Sequence, residues 1–475
     1  MKDTLLQKFL KFSYGSWVGL FLGLLLTMIT TRLFPPEILG KASMFDLFIQ
    51  VGIILTMFGA DQAFVRFFYE EEENKRGALL FNVLKLPLLI TIISVGLIFA
   101  LYVPLTKFLF DEQSLWLAVL LALGVVAQLF FRFGQLVIRM QQKGNLYSLL
   151  QIFQKVFNLL FIVVLFYLNG TSFETVILAK LSTILFIVVL SIYFGKNFWH
   201  LKNINNRNVK HSQNEIFKYG APFVLTIFIS WLFEAFDKIA LRQWSNFDEL
   251  GLYTAAMRLV ALVVILKTTF STFWTPVAYE KYEKNPENRD FYKYISILVS
   301  FLMFLVAIIS IAAKDIIVIL LGEMYLRAAD IVPFLVFMPI FYTISVTTVM
   351  GINFYKKPRW HLIIAIISCG VNILGNWLLV PKYGAIGASV ATAVSYVVFF
   401  SLRTFISMRY YSVNYPLARI YFMTIILFTY TTLMLQYSSV LLNVVFAMIS
   451  IIILCCLFSK EVFYIIKNRG ELLDF

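Results

Sequence analysis

Polar side chains recur at helical spacing within segments of the sequence that are otherwise apolar. Residues at positions i, i+3, i+4 and i+7 lie on one face of a helix. Two consecutive segments show this pattern, with Gln128, Arg132, Gln135 and Arg139 in the first and Gln151, Gln154, Lys155 and Asn158 in the second. Guanidinium and ammonium groups bind phosphate oxygens, and amides hydrogen-bond to hydroxyls. These faces therefore predict recognition of a large anion that carries many hydroxyl groups.

Five further segments carry polar or charged residues among apolar neighbours. They contain Asp46, Gln50, Asp61 and Arg66; Lys180 and Thr183; Thr226, Ser230, Glu234, Asp237 and Lys238; Arg258; and Ser368, Asn372 and Asn376. Across all seven segments, we expect the substrate to contact the bases and amides Arg132, Lys155, Lys180, Arg258, Gln128, Gln151, Asn158 and Asn372. The candidates for gating or coupling are Asp46, Asp61, Arg66, Glu234, Asp237 and Lys238.

Each of these residues also has a purely structural interpretation. A single intramembrane Ser, Thr or Asn commonly hydrogen-bonds a neighbouring helix, and Lys85 and Lys267 could extend to the nearer interface. Glu234, Asp237 and Lys238 could neutralise one another. Several aligned faces together favour the functional interpretation, because an unsatisfied polar group that faces lipid costs several kcal/mol. We therefore expect the faces to line a shared, hydrated cavity.

The segments that carry these faces are long enough to cross a membrane. Of the 475 residues, 60% are hydrophobic and 14% are charged, which excludes a water-soluble protein. A helix needs about 20 apolar residues to cross the hydrocarbon core. Fourteen stretches meet this requirement: 15–34, 43–60, 79–102, 115–138, 146–168, 172–194, 216–241, 251–273, 291–313, 331–354, 361–380, 385–408, 419–436 and 438–458. The predicted fold is an all-α integral membrane protein with fourteen transmembrane helices.

The charge distribution predicts the orientation of these helices. If the N-terminus is inside, most of the 40 Lys and Arg residues fall in inner loops and tails. Positive charge is retained on the cytoplasmic side, so both termini are predicted to be cytoplasmic. The net charge of +14 has the same origin and suits a surface next to anionic lipid, so no nucleic acid partner is expected. The three Cys lie in spans and the three His lack ligand spacing, so neither a metal nor a cofactor is expected.

A weak internal repeat indicates two halves. Glu37-Ile38-Leu39-Gly40 opens the second span, and Asp248-Glu249-Leu250-Gly251 opens the eighth. Lobes of six helices each would enter the membrane in the same direction, with the substrate between them. The predicted parts are an N-lobe over residues 1–195, a cytoplasmic linker over 196–215, a C-lobe over 216–410, and a helix pair with a cytoplasmic tail over 411–475.

The predicted cavity has a positive sign. Arg132, Lys155 and Lys180 lie well inside the N-lobe, and Arg258 lies inside the C-lobe. Few acidic residues oppose them, and residues 4–36 contain neither Asp nor Glu. A basic cavity of this kind suits phosphate, which the planar fork of Arg matches and to which Lys offers a point charge.

Four runs of residues give the chain a family resemblance. Leu250-Gly-Leu-Tyr-Thr-Ala-Ala-Met-Arg258 and the pair Asp237-Lys238 before it resemble the start of span eight and the acidic-basic pair of span seven in bacterial oligosaccharide flippases. Phe58-Gly-Ala-Asp-Gln-Ala-Phe-Val-Arg66 resembles the end of their second span. Pro381-Lys-Tyr-Gly-Ala-Ile-Gly-Ala-Ser-Val-Ala-Thr392 resembles their turn between spans eleven and twelve. The order and spacing of these runs resemble the polysaccharide-transport branch of the multidrug, oligosaccharidyl-lipid and polysaccharide exporters.

The resemblance implies a V-shaped, two-lobe transporter in the bacterial cytoplasmic membrane. Its substrates would be sugar repeat units on undecaprenyl pyrophosphate, turned from the inner to the outer leaflet for cell-surface polysaccharide synthesis. Membrane lipids and a polysaccharide polymerase would be its other partners. It implies a transport protein and no enzymatic activity.

Two other classes of function remain as alternatives. A cation-coupled multidrug exporter of the same superfamily would place an acidic residue in its first lobe. The acid-free first span and the basic N-lobe argue against this interpretation, and Asp46 keeps it open. A membrane enzyme, either a polymerase or a glycosyltransferase, would need a sizeable outer loop with catalytic residues. The longest outer connection, from about residue 313 to residue 331, is short.

Overall fold

The computed structural model describes residues 5–200, 202, 209–437 and 439–467, and in residues 5–13 it describes the backbone only. Nearly all of these residues are helical, and none of them lies in a β-strand. Residues 201 and 203–208 of the predicted linker, which include Asn206, lie outside the described residues. The prediction of an all-α membrane protein is confirmed, because the long helices are apolar enough to cross a bilayer.

The described helices divide into two compact units, Met1–Trp231 and Leu232–Phe475. The helices that begin in the first unit are α1 Leu5–Leu33, α2 Pro36–Met57, α3 Ala60–Phe67, α4 Arg76–Ala100, α5 Tyr102–Phe110, α6 Leu115–Met140, α7 Gly144–Asn169, α8 Phe173–Phe194 and α9 Gln213–Trp244. The second unit follows with α10 Phe247–Lys284, α11 Arg289–Ala312, α12 Lys314–Ile319, α13 Val332–Leu335, α14 Phe337–Thr348, α15 Met350–Phe354, α16 Arg359–Tyr410, α17 Leu417–Gln436 and α18 Val440–Lys467. Short 3₁₀ helices cover Glu73–Lys75 and Glu323–Asp330.

The number of membrane spans depends on how broken helices are counted. Within the described ranges, twelve helices are long and apolar enough to span, and a pair bent by 47°, Glu323–Asp330 with Val332–Thr348, would make thirteen. One of the twelve, α16, is 52 residues long and merges two helices across a kink at Gly384. The predicted count of fourteen stays a prediction, as do the lobe boundaries at residues 195 and 216.

The kink in α16 falls inside the run Pro381 to Thr392 and has a local cause. Gly384 has φ +52°, which residues with a Cβ rarely adopt, and a Cβ there would lie 2.5 Å from a Glu249 carboxylate oxygen. The same oxygen accepts a hydrogen bond of 2.8 Å from the backbone N–H of Ala385. Glu249 of α10 therefore satisfies a backbone donor that the kink releases from the helix.

A second break separates α2 from α3 and positions two of the predicted site residues. Phe58 and Gly59 both have positive φ values, 44° and 73°. A Cβ on Gly59 would lie 2.1 Å from the carbonyl oxygen of Gly220, so only glycine fits. Asp61 and Arg66 consequently lie on the separate short helix α3. The sequence had suggested that they lie on a continuation of span two.

Candidate functional site

The polar face predicted in α6 is the exposed face of that helix. Arg132 and Arg139 are exposed and Gln128 and Gln135 are half-buried, whereas their neighbours Phe133 and Val137 are fully buried. The apolar stripe of α6 packs against α2, α4 and α8, which leaves Arg132 and Arg139 outward in the second half of a segment apolar enough to span a membrane, while Gln135 donates a hydrogen bond of 3.2 Å to the Ser191 hydroxyl of α8. A charged face at this depth indicates a hydrated surface, because lipid cannot satisfy it.

Arg132 is held by a buried carboxylate. Its Nε and Nη2 atoms donate hydrogen bonds of 3.2 and 2.7 Å to one carboxylate oxygen of Asp61 on α3. The Asp61 side chain is 9% exposed and that of Arg132 is 44% exposed. Gln62 donates a further hydrogen bond of 3.1 Å to the same oxygen. Asp61 therefore fixes the guanidinium plane while about half of the Arg132 side chain stays accessible to a ligand.

A second acid–base pair in the same unit joins α8 to α2. The Lys180 ammonium forms an ion pair with the Asp46 carboxylate, and both side chains are partly exposed. Arg132 and Lys180 are thus both partly neutralised, so the first unit is less positive than a count of its bases predicts.

The remaining predicted residues of the first unit occupy helix–helix contacts. Asn158 of α7 donates a hydrogen bond of 3.2 Å to the Thr183 hydroxyl of α8. Gln151 of α7 accepts one of 3.3 Å from the Ser16 hydroxyl of α1. Lys155, between these two residues, is half-buried on α7. Arg66 is exposed and pairs with Glu70 one turn further along.

In the second unit, Asp237 is the centre of a buried polar cluster. The residue is 2% exposed and accepts four hydrogen bonds, from the Tyr253 hydroxyl (2.5 Å), the Thr392 hydroxyl (2.5 Å) and the amides of Asn376 (2.7 Å) and Asn372 (3.0 Å). Three helices, α9, α10 and α16, supply these groups. Four neutral donors stabilise a buried carboxylate without a base.

Mutual neutralisation of Glu234, Asp237 and Lys238 stays the structural alternative for these residues. Glu234 is exposed and Lys238 is half-buried on the same helix, α9, and the described hydrogen bonds of the carboxylate go elsewhere. The stripe on span eleven did identify Asn372 and Asn376. Tyr253 and Thr392 were missed as site residues, although both lie in runs that carry the family resemblance. Carboxylate, amide and hydroxyl oxygens are also the ligands that hard cations take.

Arg258 is half-buried on α10, and its positive charge interacts with the buried Tyr325 of the 3₁₀ helix Glu323–Asp330. A cavity of about 370 Å³ with a mixed polar and apolar lining lies beside this helix, and Lys314, Arg327 and Asp330 are its charged lining residues together with Asp315. None of the predicted site residues lines it. Arg258 and this cavity are therefore separate features of the second unit.

Comparisons with known proteins agree with this architecture. The sequence model of a family described as "Polysaccharide biosynthesis protein" matches residues 29–330, which is more than half of the chain. No curated protein matches the sequence.

Solved structures share the fold at low sequence identity. The lipid II flippase MurJ in an inward closed conformation superposes with a TM-score of 0.70 at 16% identity, covering 95% of this chain and 99% of MurJ. An inward-facing multidrug resistance transporter of the MATE family, from the MOP superfamily, gives 0.64 at 14% identity, covering 83% and 94%. An outward-facing MATE transporter gives 0.53 at 17% identity, covering 85% and 95%. These likenesses show a multi-pass membrane protein with the fold of transporters and flippases. The family match over residues 29–330 shows that this chain belongs to the polysaccharide biosynthesis protein family.

Proposed function

We propose that this protein is a flippase for lipid-linked oligosaccharides. It would move sugar repeat units on undecaprenyl pyrophosphate from the inner to the outer leaflet of the bacterial cytoplasmic membrane by alternating access. The sugar units would then serve cell-surface polysaccharide synthesis, with a polymerase as the next protein to act on them. Membership of the polysaccharide biosynthesis protein family supports the pathway, and the shared fold of MurJ, a lipid II flippase, supports a lipid-linked substrate.

The observation that carries this proposal is the exposed polar face of α6 at the depth of the membrane. Each hydroxyl that loses water without a new partner costs roughly 1–3 kcal/mol. An oligosaccharide with about ten hydroxyls cannot cross lipid on that estimate. A face that presents Gln128 and Arg132 to a hydrated space offers replacement hydrogen bonds, so it removes most of this cost.

The bases and acids have different roles in this proposal. Arg132, Lys155 and Arg258 are the bases that bind the pyrophosphate or acidic sugars, with Lys180 as an additional candidate. Asp61 and Asp46 orient Arg132 and Lys180, because each accepts hydrogen bonds from its base. Moving about two negative charges out of a cell with a negative interior gains roughly 4–5 kcal/mol per 100 mV. The Asp237 cluster is the coupling candidate, because its oxygen atoms could exchange donors for a cation.

A cation-coupled multidrug exporter is the second candidate function. The partly exposed Asp46 carboxylate in the first unit favours it, since an acidic residue there could bind the coupling cation. The two candidates differ in which residues are essential. A flippase depends on the bases that hold its anionic substrate, whereas a drug exporter depends on the acids that hold its cation.

The experiment compares Asp46→Asn, Arg258→Lys and Arg258→Ala in cells at matched protein level. For a flippase we expect lipid-linked oligosaccharide to accumulate on the inner leaflet in Arg258→Ala, less in Arg258→Lys, which keeps the charge without the fork, and least in Asp46→Asn. The exporter would instead be established if the wild-type protein exports a cationic dye, Asp46→Asn abolishes this efflux and both Arg258 variants retain it.

A further inference from the structure

Arg403 of α16 is a buried cation without an acidic partner. The residue is 8% exposed, and its Nη1 atom donates a hydrogen bond of 2.6 Å to the Ser345 hydroxyl of α14. Its Nε atom is buried and makes no hydrogen bond in the described part of the chain. The other contacts of the guanidinium are the rings of Tyr342 and Phe399, at 5.4 and 5.0 Å from their centroids. Among the described residues no carboxylate neutralises it.

A second base contacts the same tyrosine. The Lys267 ammonium of α10 lies 3.8 Å from the centroid of the Tyr342 ring, and this half-buried side chain has no carboxylate partner in the described ranges. Because both cations lie against the Tyr342 ring, the distance between the Lys267 ammonium and the Arg403 guanidinium cannot exceed the sum of their distances to the ring centroid. The Tyr342 side chain is half-buried, and its hydroxyl makes no hydrogen bond within the described residues.

The protein contacts do not balance the two charges. A cation–π contact contributes less than it costs to remove a guanidinium from water, even after relaxation. Two like charges near one ring also repel each other, and more strongly than in water because Arg403 is buried. An anion bound to Lys267 and Arg403 would offset both the desolvation and the repulsion.

The surroundings of Lys267 are polar enough to admit such an anion. The next two turns of α10 carry hydroxyls, and two of these residues, Thr268 and Thr272, are exposed. Their hydroxyls donate to backbone carbonyls of their own helix, so Lys267 supplies the charge while the two exposed Thr side chains mark a face of α10 that a ligand can reach. Arg403 lies seven residues before the end of α16 at Tyr410, which is about 10 Å along the helix. That distance is within reach of a lipid headgroup.

We infer that Lys267, Arg403 and the Tyr342 hydroxyl bind the phosphate group of a lipid within the second unit. Lys267 would contact the phosphate directly, Tyr342 would donate a hydrogen bond, and Arg403 would supply positive potential from behind the ring. Two positive charges match a diphosphate better than a phosphodiester with one charge. The identification of that diphosphate lipid with the transported substrate rests on the proposed function, but the phosphate site itself does not.

The test measures lipid binding to the purified full-length protein in phosphatidylcholine nanodiscs by native mass spectrometry. The two probes are a sugar-free polyprenyl pyrophosphate and phosphatidylglycerol. We expect Lys267→Gln to weaken binding of the better probe about tenfold, which is the loss of one hydrogen bond to a charged group. Lys85→Gln is the matched control, because Lys85 is an exposed lysine on α4 of the first unit without a ring contact, and it should bind as the wild type does.

Two further variants keep the test decisive. Arg403→Gln should weaken binding as well. Tyr342→Phe keeps the ring and should weaken binding less, and it serves as the second variant if Arg403→Gln does not fold. Tighter binding of the pyrophosphate probe would identify the substrate as the ligand, and tighter binding of phosphatidylglycerol would identify bulk lipid. Equal affinities of wild type, Lys267→Gln and Tyr342→Phe for both probes would overturn the site. If the variants lose binding but the wild-type protein flips no oligosaccharide, the phosphate site stands and only the proposed function is overturned.

Discussion

At the scale of single residues, the structure turns isolated polar positions into pairs. Helical periodicity placed Arg132 on a polar face and named Asp61 as a candidate, but the two residues are 71 positions apart in sequence. Periodicity shows which residues share one helix face and gives no information on which faces meet. For the same reason the Lys180–Asp46 pair and the donors around Asp237 could not be predicted, although most of the participating residues were identified.

The Asp61–Arg132 pair predicts an asymmetry between its two members. Arg132→Ala should lower the free energy of unfolding by about 1–3 kcal/mol, because it leaves a buried carboxylate without its base. Asp61→Asn should cost less, because the half-exposed Arg132 can be hydrated and the amide retains the shape. Thermal unfolding of the purified variants measures both changes. An equal or larger loss in Asp61→Asn would show that Asp61 does not depend on Arg132.

At the scale of elements, the apolar stretches predicted the positions of the long helices and one of the two breaks. The boundary between the stretches 361–380 and 385–408 coincides with the kink at Gly384. Hydropathy is insensitive to φ, so the left-handed conformation of Phe58 and Gly59 was not anticipated. Both places lie in runs that carry the family resemblance, Phe58 to Arg66 and Pro381 to Thr392, but the resemblance gave no physical reason for them. The structure supplies one for each, a close approach of Gly59 to Gly220 and a carboxylate that binds the backbone after Gly384.

The break before α3 predicts that Gly59 is required. Gly59→Ala should destabilise the protein by about 1–2 kcal/mol from the left-handed backbone alone, and the contact with Gly220 should add to this cost. It should also displace Asp61 and reduce transport. The control is Gly96→Ala in α4, where a Cβ meets no atom within 4 Å, so the same change should be neutral or slightly stabilising. Comparable melting temperatures for the two variants would contradict the role of Gly59.

At the scale of the whole molecule, composition alone was sufficient to predict an all-α membrane protein. The number of spans and their direction depend on how α16 and the bent pair at residues 323–348 are placed in the bilayer. Charge asymmetry predicts that direction, because inner loops retain Lys and Arg.

Accessibility of single cysteines tests this topology. Cysteines at Asn169 and Tyr383, both exposed in the structure, should react with an impermeant reagent from outside intact cells. Cysteines at Lys357, which is exposed, and at Asn206 should react only after permeabilisation. Labelling at Lys357 from outside would reverse the orientation that the charge distribution predicts.

The most direct test of the proposed mechanism reverses the charge of the substrate-binding bases. Arg132→Glu, Lys155→Glu and Arg258→Glu are expressed at matched protein level beside Lys85→Glu, a control on the exposed face of α4. The measurement is the amount of lipid-linked oligosaccharide on the inner leaflet. We predict that it accumulates in each of the three variants and stays at the wild-type level in Lys85→Glu, because a carboxylate repels the pyrophosphate that the base attracts. Full transport by all three variants would contradict the claim that these bases hold the substrate.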